Sequence, residues 1–310
     1  MPATPQESLN GRTGPRNEIP LSDPAAPRLS LLCCTVGRTE KLGRLLDSLA
    51  RQTSRDFELV VVDQNAPGVL DPVLAPYAQA LDIRHVRSEK GLSRARNVGL
   101  GHCRAKIVAF PDDDCWYPDA LVEKILSMFD VDAQAGVITG RTVDAAGADS
   151  LGLFLDADAT ITKSNVWLSG NSNSLFIRTE IARKIGGFDE TLGVGASTPF
   201  KSGEETDFLL RALATGARGL YRRDLRVHHD QAPVGGAGGV ARAQDYARGF
   251  GRVLRLHDYG AAYLAMRVIR TSARAALALA TGDMATARYK ALWALGTFRG
   301  FTAPLPARAA

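Results

Sequence analysis

The sequence predicts an α/β fold built on a mostly parallel sheet with helices on both faces. Short apolar or β-branched runs alternate with stretches of helical periodicity from residue 29 onward, which is the pattern of such a sheet. The 310-residue chain is long enough for one large domain or two modest ones with a buried core. Its 45% apolar and 23% charged residues are those of an ordinary globular protein and exclude bulk disorder.

The first half of the chain contains three βα units. The predicted strands, each apolar enough to be buried on both faces, cover residues 29–35, 59–63, 83–86 and 107–110. Helices are predicted between them over residues 40–52, where leucines recur at helical spacing, and over residues 93–102.

The second half of the chain differs in composition from the first and has connections rich in glycine and aspartate. Strands are predicted over residues 137–141, 173–177 and 225–229, and helices over 118–129, 180–185 and 204–214. A glycine-rich loop covers residues 186–203. Four glycines in residues 235–239 predict a flexible hinge into a C-terminal tail.

The ends of the chain differ from its body. Residues 1–28 hold several prolines and charges without the apolar centre of a signal peptide, which predicts a disordered arm. Residues 241–310 hold eleven Lys and Arg against three Asp, a balance of +8 in a chain of net charge +5. The remaining residues therefore carry −3, so an acidic body precedes a basic tail.

Cysteine usage and hydropathy bear on the compartment. The four cysteines have neither CxxC spacing nor the density of a disulfide scaffold, which favours a reducing, cytoplasmic setting. No run of about 18 uninterrupted apolar residues occurs, so a spanning helix is not expected.

Three consecutive aspartates, Asp112, Asp113 and Asp114, follow an apolar strand at the carboxyl edge of the predicted sheet. Ligands of open α/β sheets bind at that edge. Adjacent carboxylates repel one another unless a cation offsets them, as Mg²⁺ or Mn²⁺ does when it bridges carboxylates and phosphates. The alternative is a solvated Asp-rich turn.

A second acidic cluster, Glu204, Glu205 and Asp207, opens a predicted helix. Acidic residues in a first turn are expected from the helix dipole alone. The functional interpretation is a general base that accepts the proton of an incoming hydroxyl.

Other polar residues fit a nucleotide site. The simplest role of Arg38, Arg94 and Arg96 is to bind phosphate, although a lone arginine is usually only solvated. Asp63 ends the second strand, where acids bind a base or ribose, or cap the next turn. Of the adjacent His228 and His229, strand alternation lets one face a cleft as a metal ligand. A surface histidine is the alternative.

Taken together, these segments resemble the family 2 glycosyltransferases, inverting enzymes of GT-A fold that build polysaccharides and glycolipids. The resemblance covers about residues 29–230 and includes the Ala95-Arg96-Asn97 step of a family helix and a DxD element in residues 110–114. Seven segments follow in the family's order: residues 35–52, 60–65, 91–99, 110–114, 170–172, 186–190 and 203–207.

The resemblance implies a metal-dependent transfer of a sugar from a nucleotide diphosphate donor to an acceptor hydroxyl. Asp63 would contact the base and Glu205 would act as catalytic base, although the family's usual Glu-Asp pair is Glu-Glu here. The implied ligands of Mn²⁺ or Mg²⁺ are Asp112, Asp114 and His229. The predicted donor-binding residues are Thr35, Arg38, Asp63, Arg94, Arg96, Asp112 and Asp113.

The same resemblance divides the chain into four parts. Residues 1–28 form the arm, 29–115 the nucleotide-sugar-binding half, 116–234 the acceptor-binding half, and 235–310 the hinge and tail. Two other functions stay open. A nucleotidyltransferase would normally carry a Gly-rich, Lys-containing phosphate loop, which is not found near the N-terminus. A non-catalytic sugar-nucleotide sensor or a membrane-docked scaffold is the alternative from another class.

The sequence of the tail predicts two basic helices, over residues 261–281 and 285–301. Arg267, Arg270 and Arg274 fall on one face of the first, and aromatic residues including Trp293 lie among the cations of the second. Such helices suit an anionic membrane surface beside a lipid-linked acceptor. Packing on the acidic body or on a second subunit is the alternative. Nucleic acid is not an expected partner, because basic and aromatic residues are not interleaved over an identifiable sheet or groove.

Overall fold

The computed structural model describes residues 26–230 and 237–305. Residues 1–25, most of the predicted arm, lie outside the described residues, as do the first two residues of the predicted hinge.

One sheet of nine strands runs through the described part of the chain. Its spatial order is β3-β2-β1-β4-β8-β6-β9-β5, with β7 paired to β9. The strands are β1 (Leu29–Thr35), β2 (Phe57–Asp63), β3 (Ile83–Arg87), β4 (Ile107–Ala109), β5 (Cys115–Trp116), β6 (Ala135–Val143), β7 (Ala159–Thr160), β8 (Leu175–Arg178) and β9 (Arg218–His229).

The α/β prediction is confirmed, and the sheet is parallel in its first half and mixed in its second. Strands β3, β2, β1 and β4 are parallel neighbours. Strand β8 then runs antiparallel to both β4 and β6, and β6 pairs in parallel with β9. The acidic run, Asp112 to Asp114, comes shortly after β4. It therefore lies next to the point in the sheet where parallel pairing changes to antiparallel pairing.

Nine α-helices surround this sheet in the described residues. They are α1 (Thr39–Ala50), α2 (Asp71–Leu74), α3 (Leu92–Leu100), α4 (Leu121–Val131), α5 (Thr179–Lys184), α6 (Glu204–Ala214), α7 (Ala237–Leu256), α8 (Ala261–Ala280) and α9 (Met284–Thr302). Helix α7 was not predicted. Residues 237–239 belong to its first turn, so the predicted glycine hinge is wrong for these three residues.

Two apolar cores lie on opposite faces of the sheet. Because side chains alternate along a strand, Leu31 and Cys33 of β1 face the core that α1 and α4 cover, whereas Leu32 faces the core of α3, α6 and α7. Helix α3 packs so closely that a Cβ on Gly99 would lie 2.7 Å from a methyl of Val62. Helices therefore cover both faces, as predicted.

The prediction that all four early strands are buried on both faces is wrong for β3. Its residues are half-buried or exposed, whereas every residue of β2 is buried. Strand β3 is the end strand in the sheet order, so it has a neighbour on one side only. Its alternating Ile83, Arg84, His85, Val86 and Arg87 fit a half-exposed position.

The C-terminal helices pack on the body and on one another. Glycines bring α7 and α9 together, because a Cβ on Gly251 would overlap Thr297 and one on Gly300 would overlap Arg248. Trp293 of α9 lies 6.4 Å from Phe250 of α7, between ring centroids. None of the helices in the described ranges has both the length and the apolar character needed to cross a membrane.

Candidate active site

The acidic run lies at the carboxyl edge of the sheet because β4 is the parallel neighbour of β1. Asp112 forms a bridge with Cys34 near the end of β1. The hydroxyl of Thr35 donates a 2.6 Å hydrogen bond to Asp113. Residues 78 positions apart in the chain therefore meet at one strand end.

Asp113 is the inward member of the run. Its side chain is buried, and Arg38 donates to its second oxygen over 3.3 Å. Burial raises the pKa of Asp113 to about 6, with the charges of Asp112 and Asp114 adding to the rise and Thr35 and Arg38 opposing it. Asp113 is therefore an anchor of the strand end, with both oxygens engaged.

Asp114 lies among cations. Its carboxylate is 2.7 Å from Arg38 Nη1, 3.4 Å from Lys41 Nζ and 2.9 Å from His229 Nε2. Burial alone would raise its pKa, but the hydrogen bond and charge of His229, together with the two other cations, lower the pKa of Asp114 to about 2. The carboxylate is thus held ionised beside a pocket of positive charge.

The two histidines of β9 separate as strand alternation requires. His228 stacks on Trp116 at 5.1 Å between ring centroids, and His229 meets Asp114. Burial would lower the pKa of His229, but the contact with Asp114 raises it overall. Its Nδ1 lies 2.6 Å from the carbonyl oxygen of Asp230. A proton held at Nδ1 leaves Nε2 available as a ligand atom.

Asp112 is turned away from Asp114, toward Arg96. Its carboxylate lies 3.5 Å from Arg96 Nη2, and its backbone N–H donates to Asn173 Oδ1 over 2.7 Å. Burial raises the pKa of Asp112, with Arg96 opposing this and the charges of Asp114 and Glu205 adding to it.

Asn173 is a site residue that sequence reasoning missed. It is buried, and its amide nitrogen has no hydrogen-bond partner within the described residues. The signal was its place directly after the Gly170-Asn171-Ser172 segment that resembles the family.

Arg96 joins the two acidic clusters. Only 2% of its side chain is exposed, and its Nη1 lies 3.3 Å from Glu204 Oε1 while its Nη2 faces Asp112. The ring of Phe188 lies under the guanidinium at 5.0 Å. Since a planar guanidinium can serve two carboxylates at once, Arg96 holds the start of α6 against the strand end.

The three acids at the start of α6 have different surroundings. Burial raises the pKa of Glu204 to about 8, with Glu205 adding to the rise and Arg96 opposing it. Asp207 accepts 2.8 Å hydrogen bonds from Arg211 and from His257, which directly follows α7. Glu205 is only half-buried, and its charge contributes to the raised pKa of Asp112. Glu205 is therefore the acid of this cluster best placed to meet a ligand.

Two predicted donor-binding residues lie apart from the acidic clusters. Asp63 is fully buried and is within hydrogen-bond distance of Asn65, His85 and Arg87. A nucleobase contact would require one of these partners to be exchanged. Arg94 forms ion pairs with Glu89 and Glu190, so in this arrangement it does not reach the acidic run.

The predicted metal ligands are close but not gathered. No group of three His, Cys, Asp or Glu side chains within residues 26–230 and 237–305 is arranged to hold a metal ion. Asp114 and His229 contact one another, whereas Asp112 faces Arg96. The donor set still fits a divalent cation, because carboxylate oxygens and an imidazole nitrogen suit Mn²⁺. Binding would require His229 to release Asp114 and Asp112 to turn.

Comparison with solved structures identifies the fold as GT-A. A mannosyltransferase from Pyrobaculum calidifontis, determined in complex with GDP-Man and Mn²⁺, superposes with a TM-score of 0.63. The match is 17% identical and covers 91% of this chain and 89% of that one. TarS 1–349 from S. aureus in complex with UDP-GlcNAc has a TM-score of 0.56 at 16% identity, covering 85% and 90%.

Residues 30–152 of the chain match the family model of glycosyl transferase family 2. A pre-mycofactocin glycosyltransferase of Mycobacterium tuberculosis is 27% identical over 223 residues, which are 68% of this chain and 44% of that protein. A validoxylamine A glucosyltransferase of Streptomyces hygroscopicus is 31% identical over 137 residues, covering 43% and 30%. The chain thus spans about half or less of the length of these relatives.

Proposed function

We propose that this protein transfers a sugar from a nucleotide diphosphate donor to an acceptor hydroxyl, with inversion and with the help of a divalent cation. One observation carries the proposal: Arg96, almost fully buried, ties Asp112 at the strand end to Glu204 at the start of α6. A phosphate-side cluster and a candidate base are thereby held at one place, as transfer between two substrates requires.

The strand-end cluster is the proposed donor diphosphate site. Asp112, Asp114 and His229 would hold Mn²⁺ or Mg²⁺, which when bound neutralises charge on the leaving diphosphate. Arg38 and Lys41 already face Asp114, so they can turn to phosphate oxygens once the carboxylate is otherwise engaged. A nucleotide-sugar donor is supported by two structures of the same fold, one determined with GDP-Man and Mn²⁺ and the other with UDP-GlcNAc.

Glu205 is the proposed general base. It accepts the proton of the acceptor hydroxyl while the oxygen attacks the anomeric carbon, and the carbon–oxygen bond to the diphosphate breaks with its electron pair leaving on phosphate. A single in-line displacement inverts that carbon. Glu205 suits this role better than Asp207, because hydrogen bonds to Arg211 and His257 already engage both oxygens of Asp207.

The acceptor is proposed to bind beside residues 186–203, as a carbohydrate or a lipid-linked glycan. This loop leads directly into α6 and is fixed to the start of α3. There the hydroxyl of Ser93 donates to Leu192 O over 2.7 Å, and the Leu92 N–H donates to Val194 O over 2.9 Å. We place the reaction in polysaccharide or glycolipid biosynthesis on the family resemblance.

The test is a screen of UDP-, GDP- and dTDP-sugars with the full chain, with and without Mn²⁺, read by mass spectrometry. Release of the nucleoside diphosphate that depends on Mn²⁺ is the expected result. Release of sugar 1-phosphate from the NDP-sugar, or of pyrophosphate when a nucleoside triphosphate and a sugar 1-phosphate are supplied instead, would indicate a nucleotidyltransferase. Donor binding by calorimetry without turnover, across an acceptor panel, would favour the non-catalytic sensor.

A further inference from the structure

The outer surface of α8 and α9 has an unusual composition. These two helices together contain no Asp or Glu between their first and last residues. Seven large apolar side chains on them are exposed: Met266, Ile269, Leu277, Leu279, Met284, Leu295 and Phe298. Phe298 is 50% exposed and Ile269 is 66% exposed, so these are surface positions in the folded chain. We call this the outer apolar surface.

The exposed residues form stripes rather than isolated points. On α8, Met266, Ile269 and Leu277 recur at helical spacing on the side opposite the buried Leu264 and Ala278. On α9, the exposed Leu295 and Phe298 are three positions apart, which places them on one face of the helix. A shallow apolar groove of about 450 Å³ lies between the helices and is lined by Val268, Ser272, Ala275, Ala291, Ala294, Leu295 and Phe298.

Arginines border this surface without acidic partners. Arg270 and Arg274 of α8 and Arg288 and Arg299 of α9 are exposed, and none of them forms an ion pair within the described residues. In contrast, Arg267 is half-buried and its guanidinium lies 4.9 Å over Phe250. The charge available to a partner is therefore carried by the first four arginines.

We propose that the outer apolar surface of α8 and α9 docks the protein on an anionic lipid membrane. An apolar face could bind a second copy of the chain or a membrane, and the charge of the surrounding side chains distinguishes these two occupants. A second copy paired through this same face would bring arginine against arginine with no acid on either helix, which opposes association. An anionic lipid surface supplies negative charge at every point, and the apolar stripes enter the boundary between headgroups and acyl chains.

The location agrees with a role near the proposed acceptor site. Helix α9 packs on α7, and His257, which follows α7, binds Asp207 of the helix that carries Glu205. A membrane under α8 and α9 would thus lie against the helical layer that supports α6. The docking itself does not depend on glycosyl transfer, so its test is separate from that of the proposed function.

The experiment is flotation of the full chain with phosphatidylcholine vesicles, with and without phosphatidylglycerol, at low and high salt. Binding only to the anionic vesicles and weakened by salt is expected. Arg270→Gln with Arg274→Gln should weaken the partition constant about 10- to 30-fold, since each cation near the lipid contributes about fivefold. Ile269→Gln with Phe298→Gln should weaken it about 10- to 100-fold, because apolar burial is lost.

The matched control is Lys184→Gln with Arg226→Gln, which removes two exposed cations from the body. It should float like the unmodified chain, and circular dichroism should show all variants folded. Equal loss of binding in this control, or equal flotation with neutral vesicles, would overturn the proposal. So would a dimer in sedimentation velocity that the Ile269→Gln and Phe298→Gln variant converts to monomer, since a second copy would then be the occupant.

Discussion

The two acidic clusters of the site hold similar charge in different ways. The strand-end cluster, Asp112 to Asp114, faces several cations, and one of its members has a pKa lowered to about 2. The helix-start cluster faces the buried Arg96, and the pKa of Glu204 is raised to about 8. Asp114 of the first cluster is therefore held ionised, whereas Glu204 of the second binds a proton more readily than an ordinary carboxyl group. Environments that push the pKa values of neighbouring acids apart are typical of sites that use those acids in different roles.

Each cluster also contains one acid that serves the fold. Asp113 is fixed by Thr35 and Arg38, and Asp207 by Arg211 and His257. The remaining acids are Asp112, Asp114, Glu204 and Glu205, of which Glu204 is buried against Arg96. If this comparison holds, substitutions within one cluster should have effects that differ in kind as well as in size.

The largest expected effect is on turnover. Glu205→Gln should lower transfer by about 10²- to 10⁴-fold with donor affinity unchanged, because the amide is nearly isosteric but cannot accept the proton. Initial rates under donor saturation measure it. Asp207→Asn is the matched comparison in the same helical turn. If Asp207→Asn abolishes transfer and Glu205→Gln does not, the base is Asp207.

The second effect is on stability and tests whether Arg96 joins the clusters. Arg96→Met should lower the free energy of unfolding by about 3 to 5 kcal/mol, because it leaves the half-buried Asp112 and the buried Glu204 without their shared partner. Arg94→Met, two residues earlier on the same helix, removes only exposed ion pairs and should cost about 0 to 1 kcal/mol. Urea unfolding followed by fluorescence compares them. Equal, small losses would show that Arg96 is not the link.

The third effect is on metal-dependent binding. Asp114→Asn should weaken Mn²⁺-dependent affinity for UDP or GDP by about 100-fold or more, since loss of even an outer contact of a metal site costs about 10- to 100-fold. Titration calorimetry with and without Mn²⁺ measures it. Asp158→Asn, which removes an exposed acid paired with Arg222, should leave both titrations unchanged. Unaltered Mn²⁺ dependence in Asp114→Asn would exclude this residue as a ligand.

The sequence predicted the regular parts of the fold well for a physical reason. Strand β1 and helix α6 have the predicted bounds, because buried apolar runs and helical leucine spacing depend on local sequence. The antiparallel entry of β8 and the two-residue β5 could not be predicted, since both depend on pairing between distant segments. Helix α7 was missed because Gly238 and Gly239, in its first turn, look like part of a flexible segment in sequence.

Prediction of the site was limited in the same way. The acidic clusters followed from local pattern, and strand alternation predicted that the two histidines separate, whereas the choice of His229 over His228 came from the family resemblance. The burial of Arg96 between two carboxylates did not, because its partners lie 16 and 108 positions away in the chain. The ion pairs that hold Arg94 were likewise invisible, since Glu190 meets it only through the folded loop.

The last expected effect is a pH dependence of stability that belongs to Glu204. Its pKa is raised from the ordinary 4.5 to about 8, so between these values the folded protein holds a proton that the unfolded chain has released. Stability is therefore greatest below pH 4.5 with respect to this group and falls as the pH rises toward 8. The slope is at most about 1.4 kcal/mol per pH unit for one proton.

Glu204→Gln should flatten this dependence, because a neutral amide keeps the neutral state at every pH. The buried Asp113, whose pKa is also raised, contributes a slope of the same sign, so the informative quantity is the difference between the unmodified chain and the variant. Urea unfolding at a series of pH values from 5 to 8 gives that difference. A difference that stays constant with pH would mean that Glu204 is ionised in the folded protein and pairs with Arg96 as a charge. The contrast between the ionised Asp114 and a protonated Glu204 would then be lost.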